Sequence, residues 1–496
     1  MLNTRLGLHS SSPAAKLFLV LLLLQLSLPA VAQELQLVYP RNLNRLGELI
    51  VPAVDSMFTL GSVSPEVSAL RINDEPVKLF AGGRWLHWLE RGDRLHFTLY
   101  GPADTVKVLY HLGVADIVQA VELPPADRLR IERPGCSIKT APKGTYFAFP
   151  QPGTLFEVID TEDNLYHVRF GDNREGWIRP AFATPVEHPL PPADVIHRLD
   201  LQETTEGLVL QLPVALQLVL EQLSADRRRL RLTLTNAISD IDVIRYPPQL
   251  ARLLQLSWQQ TGSREVVLTC ELTTDRILGY QLVWGEEGCR VELRLQSHFA
   301  GNFWNILKPG KGWTVMLDPG HGGEEEGAIG PGGLTEQAAN LELARLLRRR
   351  LERKGFEVLL TREQDQQVGL AERVQLAQSA DATLFVSLHF NSIAQGSDPR
   401  RAGGSSLYWY YPQAAGLALA LHKPLLQRLQ LGDDGLYYRN LAVLRNSWMP
   451  AVLVEGAYII QPASEVELVE GDLLQREAAA ICQGIVKYRR SLKRTL

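Results

Sequence analysis

Val315-Met316-Leu317-Asp318-Pro319-Gly320-His321-Gly322-Gly323 is the stretch on which the reading of the whole chain turns. An apolar run with no polar alternation fits a strand covered on both faces. It ends on a proline and three glycines, with one imidazole among them. Beyond it the period changes. Thr335 to Lys354 has helical spacing and many helix formers, closed by Gly355. Glu357–Thr361 predicts a strand, Val368 to Ser379 a helix, and Thr383–Leu388 and Leu407–Tyr411 two more strands. Ala414 to Leu429 reads as a helix kinked or interrupted at Pro424. Ala451–Val454 is a strand, and Asp472 to Arg490 the closing helix. Strands alternating with long helices predict an α/β domain over 313–490 with a largely parallel sheet.

Upstream the apolar spacing falls to two. At about 100–200 residues per domain, a chain of 496 residues has room for several units. Three small β-rich units are expected. The first, 34–125, carries short strands with Asn73-Asp74 and Gly82-Gly83 as turns. Its Leu60-Gly61-Ser62-Val63-Ser64-Pro65, Leu70-Arg71-Ile72-Asn73 and Gly92-Asp93 resemble bacterial immunoglobulin-like modules of the β-sandwich type. Pro124-Pro125 marks the boundary to a second unit, 126–187. There Gly176-Trp177-Ile178 after His167-Val168-Arg169-Phe170 resembles bacterial SH3-like barrels, which implies a wall-binding module or a spacer; the alternative is that Trp177 is simply a core residue of a small barrel. A proline-rich linker, Pro185 to Pro192, leads to the third unit, 194–300. Its position and β pattern resemble envelope-localising domains.

The first 32 residues read as an export signal rather than part of the fold. Arg5 and Lys16 precede an apolar run, Leu17 to Leu28, and Ala30-Val31-Ala32 is a small-x-small cleavage site. That run is well short of the ~20 residues a spanning helix needs. A secreted chain, periplasmic and without a transmembrane anchor after cleavage, is therefore expected. The formal net charge of −4 gives no footprint of a nucleic-acid binder. Four cysteines exclude a disulfide-rich scaffold. A Cys270–Cys289 bridge and two buried thiols both remain open, and Cys136 and Cys482 have no evident partner.

Four polar residues stand where the α/β pattern places strand ends or helix starts: His321, Glu336, His389 and Glu455. In open α/β sheets ligands bind at the carboxyl ends of strands. Two imidazoles and a carboxylate with one open position suit catalytic zinc, which brings a water's pKa down to ~7. A further carboxylate, not a ligand, can then move protons. Glu455, at the end of an apolar strand, is the hardest to read as structural, because a buried carboxylate is costly without a partner.

The order of motifs across 313–490 resembles the zinc-dependent N-acetylmuramoyl-L-alanine amidase family of cell-wall hydrolases. The matching blocks are Asp318 to Gly323, Gly327 to Gly330 with Glu336, Leu360-Thr361-Arg362, Leu370 with Glu372-Arg373, Ser387 to Ser392, and Val443-Leu444-Arg445 with Pro450 to Glu455. The resemblance implies one zinc on His321, Glu336 and His389, with Glu455 as acid/base and Asp318 as a supporting partner. It also implies peptidoglycan as substrate; Asn391 and Arg445 are candidate substrate contacts, with a structural hydrogen bond as the alternative for each. The motif continues as Glu455-Gly456-Ala457-Tyr458, a departure from the usual Glu-Leu-Gly-Phe or Glu-Cys-Gly-Tyr that removes no ligand. The short interval between His389 and Glu455 argues against a large inserted plug helix. The rival readings are a zinc peptidase cutting between stem amino acids and an inactive wall-binding scaffold.

Overall fold

The structure, a computed structural model, describes residues 35–494 apart from 42–47, 52–53, 103–104, 115–122, 205–206, 213–217, 248–252, 276, 286–287, 296–311 and 395–396. The expected export signal lies outside the described residues.

The α/β domain is built on six strands: β1 (Thr314–Pro319), β2 (Glu357–Leu360), β3 (Leu384–Asn391), β4 (Ser405–Trp409), β5 (Asp433–Tyr438) and β6 (Ala451–Tyr458). Their spatial order is β2-β1-β3-β6-β4-β5. β1 runs parallel to β2 and β3, β3 to β6, and β4 to β5, whereas β4 is antiparallel to β6. The sheet is therefore mixed. Helices α1 (Glu336–Glu352), α2 (Leu370–Ser379), α3 (Ala415–Leu429), α4 (Pro462–Val469) and α5 (Leu473–Arg494) complete the domain.

The unbroken apolar character of the strands follows from burial on both faces. Val315, Leu317, Val386, Leu388, Val452 and Val454 point to one side, against Leu343 and Leu347 of α1, Leu417 and Leu421 of α3, and Ile481 and Ile485 of α5. Met316, Phe385, Ala451 and Leu453 point to the other, against Ala377 of α2 and Val443, Leu444 and Met449. β3 and β6 run past their expected ends, so His389 and Glu455 lie within strands rather than after them. α3 continues through Pro424, which is buried, where a kink or interruption was expected.

The N-terminal region is β-rich. Leu35–Tyr39, Ser56–Val63 and Arg84–Glu90 form a three-stranded sheet, and a five-stranded sheet lies beside it. Trp85, Leu95, Phe97 and Leu99 share the buried cluster of this unit. Its Ala69–Ile72/Glu75–Val77 hairpin turns on Asn73 and Asp74, both at positive φ (49° and 66°), as a tight hairpin requires. A seven-stranded sheet follows between Arg128 and Pro185. Its core holds Phe156, Tyr166, Phe170 and Ile178. Trp177 is half-buried, outside that core, and stacks on His167 with ring centroids 4.2 Å apart. From Asp194 to Leu295, a five-stranded and a four-stranded sheet enclose a third core that includes Leu210, Leu232, Leu268 and Val291.

Cys270 belongs to the four-stranded sheet of that last region and Cys289 to the five-stranded one; both are free, as are Cys136 and Cys482. The bridge considered from the sequence does not form. Burial pushes the Cys136, Cys270 and Cys289 thiols up to about 12.

The β-rich regions dock on the α/β domain by interlocking. Val38, Phe58 and Leu60 of the first enter the α/β core. Arg294 of the third donates to the carbonyls of Ala382 (2.7 Å) and Asp381 (3.1 Å). A Cβ on Gly279 would lie 2.1 Å from the Trp448 backbone, so only glycine permits that approach.

Candidate metal centre

The loop after β1 is held from beneath by buried charge. Asp318, fully buried, accepts hydrogen bonds from Thr361 Oγ1 (2.6 Å), Arg373 Nη1 (2.7 Å) and Ser387 Oγ (2.7 Å). Arg373 also donates to the carbonyls of Pro319 (2.9 Å), His321 (2.9 Å) and Val368 (3.0 Å). Arg362 donates to Pro319 (2.9 Å), Gly320 (2.9 Å) and Gln337 (2.7 Å). Buried guanidiniums persist only when their donors are satisfied, and here the acceptors are the backbone that presents His321. Asp318 is thus a supporting group that touches the loop through its arginine.

Close approach governs the rest of the loop. A Cβ on Gly320 would lie 2.1 Å from His389 Cε1, and one on Gly327 would lie 2.5 Å from Glu336 Oε2. His321 itself is at φ 61°. Glycines on either side let the chain close around a point where three side chains meet. His321 Nε2 is 3.2 Å from Glu336 Oε2, and His389 Nδ1 is 2.8 Å from Glu336 Oε1. One ligand atom from each of the three falls within 4.8 Å of the others. Glu336 is the first residue of α1, and its carboxylate also accepts from the Ala328 N–H (2.9 Å) and the Phe390 N–H (3.3 Å).

The electrostatics call for positive charge at this point. Burial disfavours the Glu336 anion, but hydrogen bonds from His321 and His389 outweigh it and hold the carboxyl well below the usual carboxylate range. Burial works against a charged His389, and its hydrogen bond to Glu336 together with the nearby Glu455 charge raises it nonetheless. A buried carboxylate facing two imidazoles is a donor set that fits a divalent cation with N and O preferences.

Glu455 stands on β6 in register with His389 of β3 and opposite Ser406 of β4. It is outside the three-residue group. Burial pushes its carboxyl up to about 7; His389 opposes the shift and the Glu336 carboxylate adds to it. A carboxyl that changes protonation near neutral pH suits proton transfer.

The two expected substrate contacts have other partners here. The Asn391 amide donates to Asp434 Oδ2 (3.1 Å) and Ser406 Oγ (3.3 Å), and Tyr458 Oη donates to the same Asp434 oxygen (2.7 Å). Arg445 donates to Asn440 Oδ1 (2.9 Å), and its guanidinium lies over the rings of Tyr146 (4.6 Å) and Phe149 (4.7 Å). Sequence reasoning gave no role to Arg362 and Arg373. The available signal was an arginine directly after an apolar strand, where a charge has no reason to stand unless it is satisfied. Asp434 was also missed, within a strand that reads as a turn. Between His389 and Glu455 the described residues hold β4, α3, β5 and short 3-10 turns.

Residues 315–487 match the family model described as N-acetylmuramoyl-L-alanine amidase. The chain is 37% identical over 191 residues to N-acetylmuramoyl-L-alanine amidase LytC of Bacillus subtilis (strain 168), which covers 38% of each protein. It is thus matched over well under half of that relative's length. Among solved structures, N-acetylmuramoyl-L-alanine amidase AmiC2 of Nostoc punctiforme is 35% identical. The match covers 36% of this chain and 99% of that one, with a TM-score of 0.34. The catalytic domain of the amidase CwlV from Bacillus (Paenibacillus) polymyxa var. colistinus is 33% identical, covering 36% and 97%, with a TM-score of 0.33.

Proposed function

The chain belongs to the N-acetylmuramoyl-L-alanine amidase family through its α/β domain, and from that premise we propose that it cleaves peptidoglycan. The bond is the amide between the lactyl group of N-acetylmuramic acid and L-alanine of the stem peptide. The observation that carries this reading is the convergence of His321, Glu336 and His389 beside an in-register Glu455. His321, Glu336 and His389 would hold zinc. Bound there, zinc would polarise the scissile carbonyl and supply a water acidic enough to attack near neutral pH.

Glu455 takes one proton from the attacking water and passes it to the departing L-alanine amine as the C–N bond breaks. The water's second proton leaves the new carboxyl group for the amine or for solvent, so the products are a carboxylate and either an ammonium or an amine plus one released proton. Its elevated pKa supports both halves of that exchange. The buried pair Asp318–Arg373 keeps His321 in place while this happens. Asn391, on the strand beside that of Glu455, would orient a substrate carbonyl or amide once released from Asp434. Arg445, whose guanidinium is engaged with Tyr146 and Phe149, would instead have the structural role that the sequence also left open.

The substrate places the protein outside the cytoplasm. The leader-like residues 1–32 support export, to the periplasm, and no helix among the described residues is long and apolar enough to cross a membrane. The immunoglobulin-like (34–125), SH3-like (126–187) and envelope-localising (194–300) units ahead of the 313–490 catalytic domain would then serve wall binding, with zinc as the one cofactor and no nucleic acid as partner.

Digestion of purified sacculi tests the reading. The zinc-loaded chain is expected to release intact stem peptides with a free L-alanine amine, and a chelator to abolish release. Glu455→Gln is expected to keep one zinc per chain and lose turnover by at least about 100-fold. Fragments cut within the stem peptide would make the protein a zinc peptidase. Zinc binding with no release of either kind would make it a scaffold.

A further inference from the structure

Glu336 enters the metal centre at the end of a loop whose other side is closed by the first β-rich unit. The loop runs from Glu326 to Thr335 and is tied to itself at several points. Gly330 N–H donates to Leu334 O (2.8 Å), Gly333 N–H to Gly330 O (2.9 Å) and Glu336 N–H to Ala328 O (2.8 Å). Its outer turn rests on one carboxylate, Glu465 of α4, which accepts from the Gly332 N–H (2.6 Å) and the Leu334 N–H (3.0 Å).

Glu465 is wholly buried. An isolated buried carboxylate is costly, and two backbone donors do not neutralise it. The cation that does so comes from outside the α/β domain. Arg84, on the Arg84–Glu90 strand, places Nε 3.0 Å from Glu465 Oε2 as a charge contact. Its Nη1 donates to Ala81 O (2.9 Å) and Glu470 Oε1 (3.1 Å), which holds the guanidinium against the loop. Space is as tight as charge. A Cβ on Gly332 would lie 2.5 Å from Arg84 Nε, and one on Gly330 would lie 2.4 Å from Glu465 Oε1. Glycines at both positions bring the backbone directly onto the ion pair. The same unit touches the loop at a second point, where Arg41 Nη1 meets Glu326 Oε2 at 2.8 Å.

We infer that Arg84 is a positioning residue for the metal ligand Glu336, so that the first β-rich unit supports the metal centre from outside. Without Arg84, Glu465 becomes a buried anion without a counter-charge. With no cation against it, the carboxylate draws in water, and the hold on Gly332 and Leu334 slackens. The loop that fixes the backbone N–H of Ala328 on Glu336 Oε2 loosens with it. Groups behind metal ligands commonly control affinity by about 10–100-fold. An effect through two intermediates belongs at the lower end.

This inference rests on the zinc reading above, and the experiment separates the two. The full chain is loaded with zinc, and the rate of zinc transfer to a chelator is measured for the native protein, Arg84→Met, Arg84→Lys and Glu465→Gln. Melting of the zinc-free proteins reports the fold independently. Arg84→Met is expected to release zinc about tenfold faster. Arg84→Lys is expected to recover part of the difference, because an ammonium still faces Glu465. Glu465→Gln, which keeps the shape and removes the charge, is expected to behave like Arg84→Met. Cobalt substituted at the site is expected to show an altered visible spectrum in the same variants. Native-like release from both Arg84→Met and Glu465→Gln overturns the inference while leaving the metal reading intact. A native chain that retains no zinc overturns both.

Discussion

Glu477 is the residue with the least obvious reason to be where it is. It lies on α5, wholly buried, with neither carboxylate oxygen hydrogen-bonded, and a Cβ on Gly456 would come within 2.6 Å of it. Burial, with the Glu455 charge adding, pushes its carboxyl up to about 8. The folded state therefore holds a proton that the unfolded chain releases from about 4.5 upward. Stability falls as pH rises between those values, and the full loss is present above about 8. Glu477→Gln removes this slope. Thermal melts are expected to show the variant gaining on the native protein as pH rises, by a few kcal/mol on the order of what one buried carboxyl costs at pH 8.5, and little difference at pH 5. Equal melting curves across that range would contradict the assignment. Arg476-Glu477 in a helical stretch reads as solvated surface, so nothing in the sequence signals this burial. His321, Glu336 and His389 were singled out by a different signal: each alone is weak, but together they stand at predicted strand ends and a helix start that one sheet rim brings together, and the structure groups them.

At the level of elements, the loop that follows β1 shows how the domain converts a strand end into a centre. Gly320 touches the His389 ring on the neighbouring strand, so any side chain there pushes the imidazole away. Gly320→Ala is expected to leave the secondary structure intact by circular dichroism and to weaken zinc binding by at least about tenfold in titration. Retained affinity would mean that the loop yields more easily than its buried arginines imply. The alternation of strands and helices was readable because each buried strand is apolar throughout and each helix carries its own period. β5 and α4 were not. β5 opens on Asp433-Asp434-Gly435, which carries turn chemistry, and it becomes a strand only because β4 offers it a parallel edge. α4 spans eight residues behind Pro462, too few for a periodicity to declare itself. β6 runs through Glu455 because β3 and β4 flank it there, a tertiary fact invisible in an apolar run that stops one residue earlier.

Across the whole molecule, the sequence showed that the N-terminal half is β-rich but not how it meets the α/β domain, since the contacts join residues hundreds of positions apart. Arg445 illustrates the point. Read alone it resembles a substrate contact, yet its guanidinium lies on Tyr146 and Phe149 of the seven-stranded unit, whose Tyr146 carbonyl accepts from the Asn440 amide (2.7 Å). Arg445→Ala is expected to cost about 1–3 kcal/mol of stability, with KM unchanged. A raised KM at unchanged melting temperature would return the residue to substrate binding. The thiols follow the same logic of enclosure. All four sulfurs are sealed in cores, unbridged, and burial keeps them in the unreactive protonated form. Their protection against oxidants is accordingly borrowed from the closed cores and ends when those cores open. Heating in air is then expected to expose several nucleophilic sulfurs together and cross-link them at random, so that a second melt recovers less of the protein in air than under reductant.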